Sequence, residues 1–349
     1  MMPISDITLS AVIGAIVAVL TILIKDLIFK LWFEKRMSKK NELAIFRQYA
    51  DPLSTATMSF LWRLSEVLEQ KHKSSYLYEK YTATYAVYKR ISTVYRLCSL
   101  LGWLRAFQKE STLLKTKDNK ELQKIKNSIN EFSKALADGT HIEIERLKGF
   151  LELWSFNLRD CQINSILASS IDSEIKDFIA KKKLTDALEL TDEDKFLLIK
   201  HIATTIVDFY SVNNISDDII KQTIAQGIQF CSLKESWIYR DWQDAIGDMM
   251  LRENINEGRK YDVIGFYEFS NKLKDTGNKD TEWITRVENV FYNLDVTGAN
   301  KSDMRLEQLK HIVKATSELI LSLTENDKQR KVFMSKTIEL ANRLNNNPL

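Results

Sequence analysis

Arg305 and His311 stand in an R-x5-H spacing. In such a pair the guanidinium would hold a phosphate and the imidazole would exchange a proton, the chemistry of phosphodiester cleavage by a helical ribonuclease. His311 also lies in an apolar pattern beside Ile312 and Val313, which predicts a structural histidine instead. A second constellation is WIYRDWQDAIGDMM, residues 237–250. Trp237, Ile238, Trp242, Ile246, Met249 and Met250 form an apolar stripe, and Arg240, Asp241, Gln243, Asp244 and Asp248 occupy the other sides. Arg240 and Asp244, one helical turn apart, can pair. Two acids beside an arginine and a glutamine could serve a metal or a polar ligand. The expected reading is an amphipathic helix whose polar residues cross-link its neighbours.

Other chemistry finds no residues to carry it. His72, His141, His201 and His311 are far apart, and none forms H-E-x-x-H. No G-x-S-x-G elbow occurs. The stretch LDVTGANKS ends in Lys301-Ser302 but lacks the glycines of a phosphate-binding loop, Asn300 standing before the lysine. Cys98, Cys161 and Cys231 have neither metal-ligand spacing nor the even count of a disulfide framework. They are expected to be small buried hydrophobes in a reducing compartment. No cofactor and no metal is expected.

The elements that must position these residues begin with residues 7–24, ITLSAVIGAIVAVLTILI, eighteen positions without charge or proline. As a helix they span about 27 Å, close to the ~30 Å hydrocarbon core of a bilayer. A cleaved signal peptide would need an N-terminal base and a small-residue cleavage site, and neither is present. A retained transmembrane helix is therefore expected. Its C-terminal flank carries Lys25, Lys30, Lys35, Arg36, Lys39 and Lys40 against Asp26 and Glu34, a local charge of +4, while its N-terminal flank holds only Asp6. Lysine and arginine mark the cytoplasmic side, so the N-terminus is expected outside and residues 25–349 in the cytoplasm. Trp32 is expected at the interface, with the bases on anionic lipid. Ser10, Gly14 and Ala18 share one face of the span, a spacing that lets two helices approach and self-associate.

The formal net charge is +3, so removing the +4 of the flank and the −1 of Asp6 leaves residues 41–349 neutral. A neutral body gives no electrostatic reason to expect nucleic acid as its main partner. Three prolines and ten glycines in 349 residues predict an all-α domain. Asp51-Pro52 is read as the cap and first position of a new helix. Tyr81, Tyr85, Tyr88 and Tyr95 repeat at helical spacing and are expected to pack in the core. Leu122, Ile125, Ile129, Phe132 and Leu136 step three and four, with Gly139 placed as a C-cap. HIEIE, from His141, alternates too briefly to be a strand. Helices are expected at 150–158, 163–181, 192–211, 216–231, 234–253, 281–294 and 327–344, with Thr191 and Ser216 as N-caps and a looser piece at 261–274. Leu306, Leu309, Val313, Thr316, Ile320 and Leu323 mark another helix. A weak seam is placed near 182–191.

Four segments resemble a family of uncharacterised helical proteins, many with a single membrane helix. They are YADPLSTATMSFLWRL, TYAVYKRISTVYRLCSLLGWLRAFQKE, WIYRDWQDAIGDMM and RLEQLKHIVKATSELILSL. The resemblance covers about a quarter of the chain and brings no activity or catalytic residue with it. It implies a shared scaffold in which these segments pack together.

The expectation is a single-pass, membrane-anchored helical scaffold, with residues 1–40 as anchor and basic extension and 41–349 as the cytosolic bundle. Its partners would be membrane lipid and a protein partner or a second copy of itself. The alternatives are an oligomerising membrane effector of a bacterial anti-phage defence and a HEPN-like ribonuclease using Arg305 and His311.

Overall fold

The computed structural model describes residues 6–111, 120–156, 162–254, 258–274, 280–298, 302–325 and 334–346. Within these, the side chains of 6–24, 27, 28, 31, 34, 35, 38–43, 71–73, 120 and 121 fall outside the description. The chain is all-α: twelve helices and two three-residue strands among the described residues. No helix among the described residues is long and apolar enough to cross a membrane. The side chains of the apolar stretch 7–24 lie outside the description.

Helix α1 runs unbroken from Asp6 to Glu69, 64 residues, with Pro52 inside it. The new helix expected at Asp51-Pro52 does not form. An interior proline removes one backbone hydrogen bond and crowds the preceding turn, at about 3 kcal/mol. Burial on both sides of it outweighs that cost, because Phe46, Tyr49, Leu53, Phe60, Leu61, Leu64 and Val67 are all buried. Pro52→Ala is therefore expected to stabilise the protein by about 1–2 kcal/mol, after the ~1 kcal/mol entropic advantage of proline in the unfolded chain is given up. The urea midpoint measures it, and a lowered midpoint would contradict a continuous helix.

After a 3-10 turn at Lys71–Leu77, helix α2 (Thr84–Ser111) returns along α1. Its buried face includes Ala86, Lys89, Thr93, Leu97, Leu100, Leu101 and Leu104. The tyrosines expected in the core are exposed instead: Tyr81 by 42%, Tyr85 by 68% and Tyr88 by 48%. Polar Lys89 and Thr93 occupy the inner positions of that half, so apolar residues alone point to the wrong face. Tyr95, half-buried, donates to the Ile264 carbonyl at 3.2 Å. The Tyr49 hydroxyl joins three elements, donating to Glu110 Oε1 at 2.9 Å and accepting from the Tyr261 N–H at 3.2 Å.

Helix α3 (Lys120–Ala137) buries all five residues of its three-four pattern. Gly139 is not a left-handed C-cap: its φ is −93° and it begins helix α4 (Thr140–Leu153). A Cβ there would stand 2.9 Å from the Trp237 indole, so close approach sets the glycine. HIEIE is thus helical. Helices α5 (Ser165–Lys181), α6 (Asp192–Tyr210) and α7 (Asp217–Cys231) follow. Thr191 and Ser216 accept from the Asp194 and Ile219 N–H groups, and Asn164 caps α5. Helix α8 (Arg240–Met250) starts later than expected, because Lys234 bridges Asp303 and the Ile238 N–H bonds the Leu136 carbonyl. Strands β1 (Leu251–Glu253) and β2 (Tyr261–Val263) pair antiparallel, so 261–274 is a strand followed by helix α9 (Phe266–Lys274). Helices α10 (Thr281–Phe291), α11 (Arg305–Glu325) and α12 (Ser335–Asn346) complete the chain.

Two hydrophobic cores result. The first joins α1, α2, α3 and α8 to α12, and holds all four segments of the resemblance. α2 packs on both α1 and α8, and α1 also packs on α11. The second core, between Leu147 and Cys231, belongs to α4–α7. Ala187 and Leu190 are buried within it, so the polar run 182–191 lies inside this unit and not between the two cores.

Candidate functional site

Six residues along a helix amount to about 120° around its axis and ~9 Å along it, so Arg305 and His311 face different ways. Arg305 is buried and fully engaged. Its Nε donates to Asp303 Oδ1 at 2.8 Å and its Nη2 to Asp303 Oδ2 at 2.7 Å. Its Nη1 donates to the Asn289 and Tyr292 carbonyls at 2.8 and 2.7 Å, and its Nη2 also to the Asn293 carbonyl at 3.4 Å. The guanidinium ties the end of α10 to the start of α11 and has no donor to offer a phosphate. His311 is exposed on another face of α11. The pair forms no common site.

The residues of 240–244 also divide. The Gln243 amide is buried and donates to the Ser133 and Ile238 carbonyls at 2.8 and 2.7 Å. Asp244 meets Arg105 of α2 at 2.7 Å rather than Arg240. Arg105 and Lys109 also clamp Asp248, at 3.0 and 2.9 Å. Burial raises the Asp248 carboxyl, but hydrogen bonds from the two cations outweigh it and hold the group below the usual carboxylate range. α8 sits so tightly on α2 that a Cβ at Gly247 would meet Arg105 Cβ at 2.6 Å. Arg240 and Asp241 are exposed. Arg240, Gln243 and Asp244 line one wall of a cleft of about 470 Å³ whose other walls are α2 and α3, with Lys126 and Asn130 opposite.

A second cleft, about 440 Å³, was not foreseen from the sequence. It opens between α3, α4 and α11, and Lys134, Asp138, His141, His311, Lys314 and Glu318 line it. The His141 and His311 rings lie 4.5 Å apart at 42°, and the Trp237 ring meets His141 edge-on at 5.7 Å. The Nε2 of His141 is buried without a hydrogen-bond partner among the described residues. Burial, then the neighbouring His311, pushes the His141 pKa below its ordinary 6.5, against the opposite pull of Asp138, Glu307 and Glu145. The imidazole is therefore held neutral. No group of three or more histidine, cysteine or acidic side chains among the described residues could hold a metal ion. The histidines are 170 positions apart, and no local pattern announces their meeting.

The cleft lies where the chain leaves the first core for the second. A depressed histidine pKa gives stability that is present above 6.5 and lost as pH falls from there through the lower folded value. The melting temperature is expected to decline over that window, and His141→Gln, which cannot be protonated, is expected to flatten the decline. Equal pH profiles for the two proteins would remove His141 from the account.

The remaining residues fall into place separately. His201 is exposed, 3.5 Å from Glu174. Cys98 and Cys231 are buried, and burial pushes both thiols up, so neither is a ready nucleophile. Cys161 lies outside the described residues, as do the side chains of His72, Ser10, Ala18, Lys35, Lys39 and Lys40, the surroundings of Gly14, and the loop residues Asn300 and Lys301. Lys25, Lys30 and Arg36 are exposed on α1. Comparison with protein-family models, with curated proteins and with solved structures finds no match.

Proposed function

We propose that the chain is a membrane-tethered helical scaffold, with residues 7–24 in the bilayer, the N-terminus outside and the body in the cytoplasm. The observation that carries this reading is the continuity of α1. One helix leads from the apolar stretch into the first core, where Phe46 is the first buried residue among those described. Tether and scaffold are then one element without a joint, and the body is held at a fixed distance from lipid. The exposed bases Lys25, Lys30 and Arg36 suit the cytoplasmic side.

A protein partner is the second half of the proposal. Tyr85, Tyr88 and Tyr267 expose 68%, 48% and 80% of their surface. The Tyr88 ring packs edge-on against Phe266 at 5.7 Å, which joins the α2 and α9 rings in one aromatic surface. Exposed tyrosines of this kind are characteristic of protein interfaces.

Fractionation of cells tests the tether. The chain is expected to stay in the membrane pellet through an alkaline carbonate wash and to be released by detergent. Its C-terminus is expected to survive protease added to intact cells. Recovery in the carbonate supernatant, or digestion of the C-terminus from outside, would overturn the reading.

A further inference from the structure

The described residues just beyond the apolar stretch are unusual for a helix exposed to water. Phe29 is 62% exposed, Trp32 52%, Phe33 52% and Met37 41%, and nothing else among the described residues covers them. The Phe29 ring lies 6.1 Å from Trp32 and 6.4 Å from Phe33. The Arg36 guanidinium rests over the Trp32 ring at 5.3 Å. At about 100° per residue, Lys25, Phe29, Trp32 and Arg36 fall within an arc of about 60°, a stripe ~16 Å long with a base at each end and rings between. Large apolar rings flanked by cations are the composition of a surface that lies on anionic lipid.

The continuity of α1 adds a constraint. Phe33 lies nine residues past Ile24, about 13.5 Å along the axis, whereas the headgroup layer on each side of a bilayer is roughly 5–8 Å deep. An upright helix would therefore lift Trp32, Phe33 and Arg36 out of the headgroups into water. No break in α1 allows the stripe to fold back onto the surface. Tilt is the remaining freedom. At about 40°, the upper end of the range for membrane helices, the axial rise to Phe33 drops to ~10 Å, and the lower side of the helix reaches ~3–4 Å further back. The rings then lie in the headgroup layer.

We infer that α1 leaves the membrane at a steep tilt, rolled so that Lys25, Phe29, Trp32 and Arg36 face an anionic bilayer surface. This rests on the membrane-tethered reading and adds to it the roll of the helix and a fixed attitude of the body. The rings set the depth and the roll of the helix. The cations select anionic headgroups.

The test uses the full chain reconstituted into vesicles of phosphatidylcholine alone or mixed with phosphatidylglycerol. The chain has seven tryptophans, so the Trp32 signal is the difference between the wild type and Trp32→Phe. That difference is expected to be quenched several-fold more by a lipid labelled near its glycerol than by aqueous iodide, and more strongly with phosphatidylglycerol present. Lys25→Gln/Arg36→Gln, which removes the two bases of the stripe, is expected to weaken the dependence on phosphatidylglycerol several-fold. Carbonate extraction is run on the same vesicles. A chain that resists extraction but shows a Trp32 open to iodide overturns the tilted stripe and leaves the tether standing. A chain that is extracted overturns both.

Discussion

Arg305→Ala is expected to destabilise the protein by about 3–5 kcal/mol, the scale of breaking a buried ion pair from one side. The Asp303 side chain beneath it is only 2% exposed and would be left as an uncompensated charge. Three backbone carbonyls at the end of α10 would lose their donor as well. Arg305→Lys should recover little, because an ammonium cannot reproduce a planar fork that reaches Asp303 with two nitrogens. His311→Ala, at an exposed position on the same helix, is expected to change stability by no more than about 0.5 kcal/mol. Urea denaturation of the three variants measures the contrast. A pair sharing a catalytic role would lose activity together and stay folded. Here one member should unfold the protein while the other is nearly silent. Native-like melting of Arg305→Ala would refute the structural role.

The second large effect belongs to the core of α4–α7. Arg146 and Asp172 form an ion pair with side-chain exposures of 3% and 8%, and Arg146 Nε also donates to the Phe230 carbonyl at 3.0 Å. Lys176 bridges Asp172 and Glu235 at 2.7 and 2.9 Å, so the network also holds the segment that leads out of α7. Arg146→Met is expected to cost about 3–5 kcal/mol. The double variant Arg146→Met/Asp172→Leu should recover most of that, since removing both charges leaves no unpaired charge between them, and the remainder is the Phe230 carbonyl that loses its donor. Because the two cores are separate clusters, the loss should be local. Hydrogen exchange is expected to accelerate in α4–α7 before α1, α2 and α11, and calorimetry should show two transitions in place of one. A single, uniformly lowered transition would show that the cores unfold together.

Local patterns carried much of the architecture. Thr191 and Ser216 were readable as caps because a capping hydroxyl acts on N–H groups only three residues away. The three-four steps of α3 were readable because one helix has one period. Gly139 shows where local reading stops: a glycine after a helix suggests a left-handed cap, yet its reason is an indole nearly a hundred positions on. Pro52 shows the same limit, since its helix persists through packing that a local rule cannot weigh. Periodicity alone puts the tyrosines of α2 on the wrong side because Lys89 and Thr93 face inward, where Arg63 of α1 donates to the Lys89 carbonyl and to the Thr93 hydroxyl.

By itself, then, the sequence determined an all-helical chain, where most of its helices lie, and the +4 charge beside the apolar stretch, because these follow from composition and from periods a few residues long. The tertiary structure alone decided which polar residues are structural and which are exposed. It buried Arg305, parted it from His311 and set His311 against His141. The physical reason is that burial and pairing depend on what another helix brings to the same place, and no spacing along one helix records the partner it will meet.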